Sequence, residues 1–271
     1  MNPHLEFTRE VERNISALGA DAALKSATLA WIIRANAHGY TYNFSSLGRP
    51  IIQYPQDMIA MQELIWSIKP DLIIETGIAH GGSLILNASQ LALLDYCDAL
   101  EENQMLDPRR PRRRVLGIDI DIRSHNRTAI EAHPMAGRID MIQGSSIAPE
   151  VVAQVYEKAN GKQRILVCLD SAHTHEHVLA ELEAYAPLTS TGSYCVVFDT
   201  LIEDVPDDMF PNRPWGKGDN PKTAVREYLR RLNDEERVGA DGRALNFKID
   251  KAIESKLLIT VAPDGYLRRE D

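Results

Sequence analysis

The chain has 271 residues, 44% of them apolar and 25% charged, and a formal net charge of −9. That length can bury a substantial core as one large or two small domains, and the acidic balance argues against nonspecific nucleic-acid binding. No run approaches the roughly 18 apolar residues of a spanning helix and no secretory signal is evident, so a cytoplasmic protein with no transmembrane segment is expected.

Residues 1 to about 38 read as helical. Phe7, Val11, Ile15 and Leu18 recur at three and four residues, and a second apolar run covers Leu29 to Ile33. These helices could cap a sheet, cover a substrate or mediate assembly; a homo-oligomer is the expectation. Residues 39 to 55 form an aromatic loop punctuated by Pro and Gly. Residues 1–55 are thus expected to form a helical extension, and 56–271 the main domain. Asp57 is placed as the N-cap of a helix through Ile68, with Met58, Met61, Leu64, Ile65 and Ile68 as its buried stripe.

The chain is organised around residues 69–83. Asp71 to Ile74 is a short apolar run, as expected of a buried parallel strand, and Glu75 stands at its carboxyl end. Gly77, Gly81 and Gly82 permit a sharp turn and close approach of a ligand, and Ser83 is expected to cap the next helix. The crevice at strand ends is where such folds bind ligands. A dehydrogenase loop offers bare amides to a pyrophosphate. Here the pattern is Glu-x-Gly-x-x-x-Gly-Gly, and a carboxylate at that place suits a positively charged cofactor such as S-adenosylmethionine (SAM).

Residues 95 to 114 read as a long charged loop. Its arginines, Arg109 to Arg114, suit either solvent or an anionic substrate or headgroup. Val115 to Asp119 is the second strand, and Asp119 is placed to accept ribose hydroxyls, with Asp121 as the rival. Ile139 to Gln143 is the third, and Ser145 in the following loop is placed to touch an adenine. Ile165 to Leu169 is a continuous apolar run, hence a strand buried on both faces, and it ends in Asp170. Ser193 to Phe198 is the next, ending in Asp199. Residues 201 to 221 are a polar loop long enough to be a lid. A helix follows, and then Phe247–Asp250 and Leu257–Val261 as a closing strand pair. Alternating strands and helices predict an α/β domain with a mostly parallel sheet. Cys97, Cys168 and Cys195 cannot all pair and lack metal-type spacing, so free thiols are expected.

Asp170 and Asp199 are the pair that carries chemistry. Two carboxylates converging at strand ends repel unless a cation lies between them, and Mg²⁺ takes oxygen ligands while leaving places for a substrate hydroxyl. His173 is then placed as the general base. Helix capping by both aspartates is the bland alternative. His173, His175 and His177 could instead bind zinc or iron. A Ser-His-Asp hydrolase is disfavoured, since no G-x-S-x-G elbow follows a strand.

These residues resemble the cephalosporin hydroxylase family of SAM-dependent methyltransferase-like proteins. The resemblance rests on Pro70-Asp71, Glu75-Thr76-Gly77, Gly81-Gly82-Ser83, Gly117-Ile118-Asp119, Asp170-Ser171-Ala172-His173-Thr174-His175, Asp199-Thr200, Asn220-Pro221 and Pro263-Asp264-Gly265-Tyr266-Leu267. It implies a Rossmann-like class I methyltransferase fold with a mostly parallel seven-stranded sheet, SAM at the first glycine turn and Mg²⁺ near Asp170 and Asp199. The metal arrangement implied is similar to that of catechol O-methyltransferase. Asp170 would also face SAM. Phe198 stands where an acidic residue is expected beside the matching Asp, which leaves the third ligand to Thr200 or a water. The expected activity is methylation of a hydroxyl on a sugar or small molecule. Alternatives are a hydroxylase or methoxylation role on a β-lactam-type natural product, and a non-catalytic SAM-binding accessory subunit.

Overall fold

Continuous apolar runs become the centre of the molecule. In the computed structural model, which describes residues 2–270, β3 (Leu72–Thr76) and β6 (Ile165–Leu169) are buried at every position and lie side by side. With β4 (Arg114–Asp119), β5 (Ile139–Gln143), β7 (Tyr194–Val197), β8 (Asn246–Ile249) and β9 (Tyr266–Glu270) they form one seven-stranded sheet of order β5-β4-β3-β6-β7-β9-β8. The first five strands of that order are parallel, and β9 runs antiparallel to both β7 and β8. The chain leaves β3 toward β4 on one side and returns to β6 on the other. The order reverses between these two, and their carboxyl ends open a crevice.

Side chains alternate across the strands, so the two faces carry separate cores. Ile73, Val115, Leu166 and Val196 face α3 (Pro55–Ile68) and α4 (Gly82–Glu101). Ile74, Leu116, Val167 and Val197 face α6 (Pro149–Ala159), α7 (His175–Tyr185) and α8 (Pro221–Asp234). Helix α5 (Ser124–Glu131) sends the buried Ile130 into the first core. Two helices come first, α1 (Pro3–Ala20) and α2 (Ala22–Asn36), followed by a small hairpin of β1 (Phe44–Ser46) and β2 (Arg49–Ile51). α1 buries none of its residues, whereas α2 sends Ile32 into the core and Asn36 accepts a hydrogen bond from Tyr54 (2.7 Å). The aromatic loop thus packs onto the domain.

Four local expectations are corrected. Pro55 occupies the first helical turn and Tyr54 is the N-cap of α3, which therefore starts ahead of Asp57. Asp57 is buried and accepts hydrogen bonds from Thr260 Oγ1 (2.5 Å), Val261 N (2.9 Å) and Tyr266 Oη (2.7 Å). The closing pair is β8 with β9, because Asp250 caps a helix, α9 (Lys251–Leu257), through the amides of Ala252 and Ile253. The segment after α9 is irregular and is held by the Asp57 carboxylate rather than by a ladder. Finally, α4 continues to Glu101, through the start of the expected loop. Arg113 is buried against Asp95 (2.5 Å) and Asp98 (2.6 Å), Arg112 pairs with Glu102 (2.9 Å), and Arg114 with Asp140 (2.7 Å). Those three guanidiniums are spent on the fold. The cysteines are free, with Cys168 and Cys195 buried. Among the described residues no helix is long and apolar enough to cross a membrane.

Candidate active site

Glu75 is the penultimate residue of β3, its side chain buried and accepting hydrogen bonds from the Ser83 hydroxyl and from Asn87 Nδ2 (2.9 Å). Burial without a cationic partner pushes its carboxyl up to about 7. Ser83 is not the helix cap, since Gly81 takes that place and the serine side chain turns back to Glu75. The turn needs glycine for packing as much as for access. Gly77 has φ +87°, and a Cβ there would lie 2.0 Å from the Asp170 carbonyl; at Gly82 it would lie 2.2 Å from the Pro50 carbonyl. The hairpin, not a ligand, fills the space at Gly82.

Asp119 stands at the end of β4 and accepts from the amides of Ile78 (2.8 Å) and Asp121 (3.0 Å). Its carboxylate therefore braces the glycine turn from the neighbouring strand, and Asp121 lies outside on the surface. Ser145 is half-buried, with no side-chain hydrogen bond among the described residues, whereas the adjacent Ser146 is buried and shares His177 Nε2 (3.0 Å) with Ser171 (3.2 Å).

Asp170, just past β6, and Asp199, two residues past β7, converge as expected. Together with His173 they bring three ligand atoms within 4.8 Å of one another. Asp199 has a left-handed backbone (φ 56°), which aspartate tolerates better than most residues. Its Oδ2 lies 3.1 Å from His173 Nε2. Burial first, then the charges of Asp199, Glu75 and Glu181, hold the Asp170 carboxyl well above the usual carboxylate range, against a hydrogen bond from Gln53 Nε2 (3.3 Å). Among the described residues no Lys or Arg pairs with Asp170, Asp199 or Glu75. Thr200, expected as a third ligand, is fully buried and donates its hydroxyl to the Pro263 carbonyl (2.6 Å); the third donor of the cluster is His173. The three histidines diverge. His175 Nδ1 meets Thr223 (2.8 Å) and His177 meets the two serines, so the all-histidine metal reading is overturned.

A pocket runs from Asp170 and Phe198 past Glu75 to Gln53, Asp57 and Asn87. Among the described residues, Gln53 Oε1 and Asn87 Oδ1 are buried there without a partner. Carboxylates and orphaned amide oxygens are acceptors only, so this wall suits a ligand carrying positive charge and N–H donors. Gln53 and Asn87 carry no signal in the sequence, because amides are uncharged and Gln53 reaches the site only once the hairpin folds back. Trp215, on the loop after β7, carries none either. Its ring packs edge-on to His173, centroids 4.7 Å apart at 88°. That loop is tied down by Asp219, which accepts from His175 N (2.6 Å), and by the pair of buried Lys222 with Asp204 (2.5 Å).

The family model described as Rhamnosyl O-methyltransferase/CmcI matches residues 38–270. A rhamnosyl O-methyltransferase of Mycobacterium tuberculosis (strain ATCC 25618 / H37Rv) is 31% identical over 217 residues, covering 79% of this chain and 73% of that protein. Another, of Mycobacterium leprae (strain TN), is 29% identical over 227 residues, covering 83% and 82%. Among solved structures, the CmcI-N160 apo-structure superposes with a TM-score of 0.51 at 18% identity, covering 85% of this chain and 77% of that one. The two share a fold, and it is that of the class I methyltransferases.

Proposed function

The chain belongs to the rhamnosyl O-methyltransferase/CmcI family and is an enzyme of that O-methyltransferase class, and we propose that it transfers the methyl group of SAM to a hydroxyl of a sugar, with Mg²⁺ bound at Asp170 and Asp199. The observation that carries this reading is the convergence of Asp170, His173 and Asp199 beside the Glu75 turn, with no Lys or Arg among the described residues to neutralise them. The donor chemistry fits the ion. Two carboxylates offer hard oxygens, and the close approach of Asp170 and Asp199 is costly until a cation joins them. The orphaned acceptors of Gln53 and Asn87, with Glu75, fit the ammonium and sulfonium of SAM. Asp119 and Ser145 are assigned to the nucleoside, and Gly77, Gly81 and Gly82 shape its turn.

When bound, Mg²⁺ would lower the pKa of a coordinated hydroxyl. The remaining work falls to this chain. With Asp199 Oδ2 3.1 Å from Nε2 of His173, the carboxylate favours the proton on that nitrogen and leaves Nδ1 as the basic one. His173 then takes the acceptor's proton as the methyl moves. Trp215 holds the imidazole edge-on and shields it from water. Residues 1–55 are assigned to a helical extension and 56–271 to the catalytic domain, with Gln53 the extension's contribution to the site.

Calorimetric titration of SAM and of NAD, each with and without Mg²⁺, tests the assignment. SAM binding with a separate Mg²⁺ signal, followed by Mg²⁺-dependent methylation of a rhamnoside, is the expected result. In Asp170→Ala turnover should be lost with SAM binding kept. NAD binding without SAM binding would sink the proposal.

A further inference from the structure

Arg213 lies with its guanidinium 5.1 Å from the centre of the Trp215 ring, and Trp215 in turn touches His173. The Arg213 side chain is exposed, and among the described residues it makes no ion pair and no side-chain hydrogen bond. Most arginines near this edge are committed: Arg49 to the His80 carbonyl (2.6 Å) and Asn126 (3.0 Å), Arg226 to Glu203 (3.7 Å). A guanidinium stacked on an aromatic ring keeps its in-plane N–H donors free and loses little freedom when they bind. Here the guanidinium lies over the ring that touches the imidazole of a markedly acidic site, where the carboxylates would repel an anionic acceptor unless a cation received it.

We infer that Arg213, carried on Trp215, is a recognition group for an oxyanion on the acceptor, so that the preferred substrate is a sugar bearing a phosphate or carboxylate rather than a neutral glycoside. Arg213 binds the oxyanion through its planar fork, which matches either group, while a hydroxyl elsewhere on the sugar ring faces His173. This rests on the methyltransferase reading above and adds the class of acceptor to it.

The test is calorimetric titration of wild-type protein saturated with S-adenosylhomocysteine, with and without Mg²⁺, using rhamnose 1-phosphate, a uronic acid and methyl rhamnoside. One of the two anionic sugars should bind more tightly than the neutral one. Arg213→Ala should weaken that sugar about 10-fold or more and leave methyl rhamnoside unchanged. Arg213→Lys should restore only part, since an ammonium supplies charge without the fork. Which anionic sugar responds distinguishes phosphate from carboxylate. Equal weakening of charged and neutral sugars, or no change in either, would overturn the inference while leaving the methyltransferase assignment intact. Failure of wild-type protein to bind S-adenosylhomocysteine would strike the assignment itself.

Discussion

Two regions bury carboxylates, and they treat them in opposite ways. At the far end of α4, Asp95 is sealed from solvent and flanked by Arg113 and Arg138, each at 2.5 Å, while Asp98 takes the other arm of Arg113. There the arginine overcomes burial and holds Asp98 below its usual range. At the carboxyl ends of β3, β6 and β7, by contrast, Glu75, Asp170 and Asp199 share hydroxyl, amide and imidazole partners. Burial raises Glu75 and Asp170 there. A paired buried charge has its counterion built in and serves the fold. A cluster of like charges without one costs stability until protonation or a bound cation relieves it.

The contrast can be broken at its sharpest point first. Replacing His173 by Ala removes the proposed base, so kcat should fall about 10²- to 10⁴-fold with SAM affinity unchanged, measured by steady-state kinetics and calorimetry. Replacing Arg113 by Ala should act on the fold alone. It leaves Asp95 to Arg138 alone and Asp98 to Lys69 at 3.7 Å, and denaturant unfolding should show a loss of up to about 3–5 kcal/mol. If activity per folded molecule fell as well, the two regions would not be independent.

Acidity sharpens the comparison. The Glu75 carboxyl titrates near 7 in the folded chain against 4.5 when free, so between those values the native state holds more protons than the unfolded state. Stability of the ligand-free protein should therefore fall as pH rises through that window, by on the order of 3 kcal/mol from this group. Asp57, raised to about 6, adds to the lower part of the fall. Glu75→Gln should flatten the upper part in pH-dependent melting. The smallest effect is expected at Asp170→Asn. Ligand-free stability should change by less than about 1 kcal/mol or rise, because a repelled charge is removed, while stabilisation by added Mg²⁺ should vanish.

Much of this was legible in the residues. Ile165–Leu169 and the run into Glu75 could only be buried strands, so Asp170 and Glu75 had to stand at one edge of the sheet. Ser83 and Thr200 depart from the local pattern for one reason: a hydroxyl's role depends on which acceptor lies nearest after folding. For Ser83 that acceptor is Glu75, and for Thr200 it is the Pro263 carbonyl. Asp57 lies inside its helix because Pro55 sets the helix start. The run Leu257–Val261 is no strand because an apolar run can be held by a buried carboxylate instead of a ladder.

What the sequence determined by itself was the alternation of strand and helix, the strand-end carboxylates and the glycine turn, since each follows from local pattern and chain geometry. The tertiary structure alone decided which donors meet. It brought Gln53, just past the N-terminal hairpin, to Asp170, turned His173 and not His175 or His177 to Asp199, and laid Trp215 against that imidazole. Such contacts join residues far apart in the chain, and their spacing is set by packing of the whole domain, which no local pattern encodes.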